Sequence, residues 1–109
     1  MNIFKSEEIV EIAVLNKNIL SKIAQKKREE IIRNFYDSKK ANIIKSAEAG
    51  HTGHSVTFDT LDDEVKMALK VEEKRLSEII KDVNVKLTWS SNLLFSNYRY
   101  ISEVVFDWK

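Results

Sequence analysis

The chain has no proline and only two glycines, and both glycines fall in Ala47-Glu48-Ala49-Gly50-His51-Thr52-Gly53-His54-Ser55 together with both histidines. With the strongest backbone breakers confined to one place, nothing before residue 50 forces a helix to stop. Beyond it the apolar period changes. This hinge divides a single α+β domain into a helical N-terminal part, residues 1–49, and a β-α-β-β part, residues 55–109.

In the first part Ser6 is positioned as an N-cap, with Glu7 and Glu8 near the positive end of the helix dipole. Apolar residues follow in clusters, Ile9-Val10-Ile12-Ala13, Ile19-Leu20-Ile23-Ala24, Ile31-Ile32-Phe35-Tyr36 and Ile43-Ile44-Ala47. Within each the spacing is i, i+3, i+4, and successive clusters begin about eleven residues apart, a repeat that keeps step with a straight helix. All four are therefore expected along one stripe. A continuous helix from Ser6 to Ala49 would run roughly 65 Å at ~1.5 Å per residue, too far for a compact domain of this size to cover. Either the helix breaks, at Asn16-Lys17-Asn18 or at Asp37-Ser38, or the stripe pairs with another copy or a partner. The residues expected at such an interface are Ile9, Ile12, Ile19, Leu20, Ile23, Ile31 and Phe35.

Charge is unevenly placed although the net charge is only +1. Residues 17–45 hold nine Lys or Arg and three acids. Lys26, Lys27, Arg28, Arg33, Lys39, Lys40 and Lys45 could form a phosphate-contacting face for nucleic acid. No aromatic stacking platform is interleaved with them, so a solvated helix surface is the favoured reading.

After the hinge, Ser55-Val56-Thr57-Phe58-Asp59 alternates as a strand with Val56 and Phe58 inward. Thr60 and Asp63 resemble a capping box, opening a helix over 61–81 whose stripe is Leu61, Val65, Ala68, Leu69, Leu76, Ile79 and Ile80. Val83, Val85, Leu87 and Trp89 form the inward face of a second strand. A connection through Leu93-Leu94-Phe95 leads to a third, Tyr98 to Trp108, with Tyr98, Tyr100, Ser102, Val104, Phe106 and Trp108 on one face. Strand, helix, strand suggests a parallel crossover, and the last strand returning antiparallel makes a three-stranded mixed sheet. Ile43, Ile44 and Ala47 are expected to pack the end of the long helix on it.

The chemistry available is sparse. There is no cysteine, hence no disulfide, thiolate or zinc ribbon. His51 and His54, with Asp59, Asp62 and Asp63 nearby in sequence, supply half of a zinc ligand set at best, so no metal or cofactor is expected. The favoured role for this stretch is a turn, with Gly50 capping the helix and Gly53 supplying a positive φ. Asp62-Asp63-Glu64 complement a helix dipole, and no Gly-x-Ser-x-Gly elbow exists. An enzyme is not expected. Met1 to Val14 is too acidic for a signal peptide and no apolar run is long enough to span a membrane, so a cytoplasmic protein without a membrane partner is expected.

A charged helix ending Ala47-Glu48-Ala49-Gly50, a Val56-Thr57-Phe58 strand, an acidic-start helix and a late Tyr100-Ile101-Ser102 strand together resemble a pattern among small uncharacterised tailed-bacteriophage proteins. The resemblance covers about residues 41–102; the chain departs from it in lacking a glycine between the second helix and Val83 and a tryptophan after Ser102. It implies a phage setting, in the host cytoplasm, and no particular activity. The expected function is a non-enzymatic accessory protein that binds a protein partner or forms a homo-oligomer through its N-terminal helix. Two alternatives remain: a counter-defence inhibitor binding a host immune protein or a nucleotide signal at the hinge, and a nucleic-acid-binding protein using the basic helix.

Overall fold

The computed structural model describes residues 16–92, 94 and 98–109. It begins with a single 32-residue helix, α1 (Lys17–Glu48). Asn16 is its N-cap, the side-chain oxygen accepting from the amides of Asn18 at 2.9 Å and Ile19 at 3.2 Å. The Asn16-Lys17-Asn18 position is thus a helix start. The expected alternative break at Asp37-Ser38 is absent. Asp37 instead pairs with Lys40 one turn on, and the Ser38 hydroxyl donates to the Phe35 carbonyl, both compatible with continued helix. Ser6, Ile9 and Ile12 lie outside the described residues.

The single-stripe expectation for α1 is overturned. Its clusters begin at Ile19, Ile31 and Ile43, twelve residues apart. At ~100° per residue, twelve residues make three turns plus about 120°, so the three clusters look in three directions. Only the middle one faces the rest of the chain squarely, burying Ile32, Phe35 and Tyr36; in the last, Ile43 is buried while Ile44 is 57% exposed and Ala47 is also exposed. The end of α1 therefore meets the sheet through Ile43 alone among the three residues expected there.

Gly50 takes φ 89°, and the amides of Gly50 and His51 donate back to the carbonyls of Ala47 and Ser46. This pair of bonds is a Schellman termination, with glycine at the left-handed position. Gly53 has no positive φ; its role is close approach, since a Cβ there would lie 3.1 Å from the Phe106 carbonyl oxygen.

Strand β1 (Gly53–Thr57) follows, ending before Phe58, which is buried from a 3-10 turn over Phe58–Thr60. The Thr60 hydroxyl donates to the Thr57 carbonyl and so is not the cap of the next helix, which starts later, as α2 (Asp63–Val71). The expected single helix over 61–81 is interrupted. Glu72 ends α2, a 3-10 turn spans Glu73–Arg75, and α3 (Leu76–Ile79) resumes. The cause lies in the stripe itself: the inward position between Leu69 and Leu76 is Glu72, a carboxylate that must find cations when buried.

Strands β2 (Asn84–Ser91) and β3 (Arg99–Asp107) complete a sheet of order β1-β3-β2, with β3 antiparallel to both neighbours. The sheet is therefore wholly antiparallel, not mixed. β1 and β2 do run the same way, as expected, but β3 inserts between them, and its Ile101, Val104 and Phe106 are buried under the helices. The most apolar strand takes the centre. A bulge opposite Thr88 and Trp89 leaves Ser102 as the extra residue, so Ile101 and Val104 share the inner face although three apart. Tyr98 and Tyr100 are thereby turned outward and stack on each other at 6.1 Å. Phe106 lies against Phe35 and Tyr36, joining α1 to the sheet.

Candidate functional site

The hinge residues are spent on structure. His54 Nδ1 shares a 3.2 Å hydrogen bond with the Ser46 hydroxyl, and the His51 carbonyl accepts from the Trp108 indole at 3.1 Å. Asp59, Asp62 and Asp63 do not join them: among the described residues no three His, Cys, Asp or Glu side chains gather closely enough to hold a metal.

The seven cations read as a possible phosphate face separate on inspection. Arg28 is bonded through Nε to Glu72 at 2.6 Å, Arg33 reaches Glu29 at 3.6 Å, Lys40 reaches Asp37 at 3.0 Å and Lys27 reaches Glu30 at 3.6 Å. Lys39 lies over the Phe35 ring. The Asp37 carboxylate hydrogen-bonds the Lys40 ammonium and holds its pKa above the ordinary lysine value. Much of the positive charge between Arg28 and Lys40 is thus answered within the chain, while Lys26 and Lys45 stand on exposed helix surface.

The residues expected at a partner interface also divide. Phe35 is buried and Ile31 packs against the same core, so the chain itself covers them. Leu20 and Ile23, one turn apart, are 51% and 58% exposed, and Ile19 is half-buried. Ile9 and Ile12 lie outside the described residues. Two of the interface residues thus stand open together before Arg28, while the other exposed large apolar residue of α1, Ile44, stands alone near its end.

At Arg28 stands a feature the sequence reading missed. The buried Glu72 carboxylate accepts from Arg28 and from Arg75 Nη1, each at 2.6 Å; Arg75 Nη2 donates to Glu29 at 2.7 Å, and Gln25 donates to the same Glu29 oxygen at 3.2 Å. Arg75 also reaches Glu78. Burial pushes the Glu72 carboxyl up, but hydrogen bonds from Arg28 and Arg75 outweigh it and hold the group below the usual carboxylate range. Glu29 is lowered too, chiefly by the bond from Arg75 and then that from Gln25. This clasp fastens α1 to the α2–α3 elbow. The available signal was Glu72 itself, a carboxylate at an inward helix position.

The neighbouring Glu73 accepts from the Trp89 indole at 2.7 Å, and the Arg99 guanidinium sits 5.3 Å over the Trp89 ring. Two consecutive glutamates thus tie the elbow to α1 on one side and to the β2–β3 hairpin on the other. A concavity of about 420 Å³ lies between α1 and Thr60–Val65 and is lined by Lys27, Asn34, Ser38, Asp62 and Glu64 among others. Its charges are of both signs and select no ligand. Among the described residues no helix is long and apolar enough to cross a membrane.

No known protein family, curated protein or solved structure matches the chain.

Proposed function

We propose that the chain is a non-enzymatic binding protein that meets a protein partner through the N-terminal half of α1. One observation carries this: Leu20 and Ile23 stand exposed on a helix that, among the described residues, runs more than two turns beyond the Arg28–Glu72 ion pair. Covering the half of each side chain still exposed supplies about 1 kcal/mol each, which helps a specific contact when joined to charge. A rigid helix, capped at Asn16 and clasped at Arg28, also presents them without a large ordering cost on binding. The phage resemblance supplies the setting of this proposal, an accessory protein acting inside a host cell.

The test compares the tagged full chain with its Leu20→Gln/Ile23→Gln variant. Both are used for affinity purification from lysate with quantitative mass spectrometry, and both are run in sedimentation velocity. The expected result is a protein depleted at least about tenfold from the variant's eluate, the equivalent of ~1.4 kcal/mol of lost contact, at unchanged helix content. Identical eluates and identical sedimentation would overturn the reading.

A further inference from the structure

We infer that the surface received by the N-terminal half of α1 is an acidic face of another protein with an apolar slot in it, not a second copy of this chain. The inference rests on the proposed binding role of α1 and specifies its partner. Residues 17–28 carry Lys17, Lys22, Lys26, Lys27 and Arg28 with no acid, and the first turn of α1 has no acidic residue to answer the helix dipole. At ~100° per residue, Lys27 projects in a direction between Leu20 and Ile23, with Lys17 and Lys26 on either side of the pair. Two apolar side chains are thus flanked by the ammonium groups of Lys17 and Lys26, with Lys27 between them shared with Glu30 at 3.6 Å, and the positive end of the helix dipole adds to the potential.

Charge decides among the occupants. Two copies joined with residues 17–28 of one against residues 17–28 of the other bring cations against cations at contact distance, where screening over a Debye length of ~8 Å gives little relief. A nucleic-acid backbone would answer the lysines but offers no slot for Leu20 and Ile23, and of the cations farther along the helix Arg28, Arg33 and Lys40 are already in ion pairs and Lys39 lies over the Phe35 ring. An acidic protein face with an apolar groove satisfies both features, in the manner of a helix laid into a groove.

The test titrates the full chain into a labelled helical peptide with a leucine seam flanked by glutamates, at about 50 mM and about 500 mM salt. Parallel titrations use labelled duplex DNA and phosphatidylserine vesicles. The expected result is peptide binding that weakens at least about tenfold with Leu20→Gln/Ile23→Gln, with Lys17→Gln/Lys26→Gln, and at high salt, while both variants keep the parent's circular dichroism. Absence of peptide binding overturns the inference. So does DNA binding that ignores the Leu20 and Ile23 replacement, vesicle binding tighter than peptide binding, or self-association lost in the same variant. In the lysate experiment, a partner lost with the Leu20/Ile23 variant but retained with the Lys17/Lys26 variant would leave the binding role standing and remove the acidic face.

Discussion

The two halves of α1 are built from similar residues and live in different surroundings. From Arg28 to Ile43 the helix buries Ile32, Phe35, Tyr36 and Ile43, and its charges are paired across to Glu72 or along the helix. From Lys17 to Lys27 it exposes Leu20 and Ile23 and carries only positive charge. Aliphatic content does not separate them; phase does. The twelve-residue spacing turns each apolar cluster away from the last, and the sheet can cover only one direction. The Glu72 clasp marks the boundary.

The most forceful way to break this comparison is to cut the core beneath the fastened half. Phe106 is 1% exposed between Phe35 and Tyr36, so Phe106→Ala is expected to cost about 3–5 kcal/mol of unfolding free energy. Leu20→Ala or Ile23→Ala should stay within about 0.5 kcal/mol. Urea denaturation of the three variants checks both. A cost at Leu20 approaching that at Phe106 would mean the chain covers its own N-terminal half.

Next in size is the boundary. Glu72→Gln keeps the shape but removes the charge held by Arg28 and Arg75, at an expected cost of about 1–3 kcal/mol near neutral pH. The sign with pH follows from the lowered carboxyl: its stabilisation is fully present above the unfolded carboxylate pKa of about 4.3 and is lost as pH falls through the lower folded value. The gap between parent and variant should therefore narrow as pH falls below about 4. Urea midpoints at both ends of that range measure it, and a gap independent of pH would show that the Glu72 charge does not hold the elbow.

What could be read in the sequence follows the same division between local and distant causes. The long helix, the hinge and the terminating role of Gly50 were legible because breakers and caps act within a few residues. Strand order was not, since the insertion of β3 between β1 and β2 depends on which edge captures the most apolar strand. Nor was the outward turn of Tyr98 and Tyr100, which needs the one-residue bulge at Ser102. The break in the second helix was half-legible: Glu72 stood in the inward stripe, but its partner Arg28 is 44 residues away. For the interface, Leu20 and Ile23 were correctly seen as apolar and helical. An eleven-residue repeat puts Phe35 and Ile31 on the same stripe, whereas the described clusters repeat at twelve.

A smaller effect is expected at the helix end that faces the sheet. Gly50 holds φ 89° with open space around the position of a Cβ, so Gly50→Ala meets no clash and costs only its left-handed backbone, about 1 kcal/mol. Because this termination belongs to the fastened half, the loss should appear in global stability, as a lower urea midpoint. An unchanged midpoint would show that the Schellman turn frays independently of the core.

The smallest expected effect on global stability is the most discriminating between the halves. Asn16 caps α1 at the end that the core does not cover, through bonds to the Asn18 and Ile19 amides. Asn16→Ala removes a capping interaction ordinarily worth about 1 kcal/mol. If the N-terminal half opens on its own, that energy leaves only the local equilibrium, and hydrogen exchange should quicken about fivefold at the amides of residues 20–24 with no change in the urea midpoint. If it opens only with the whole fold, the midpoint falls and exchange there changes with every other core amide. The first result keeps the two halves energetically separate, as an independently presented binding helix requires; the second makes α1 one cooperative unit, whose exposed leucine and isoleucine are held by the core from a distance.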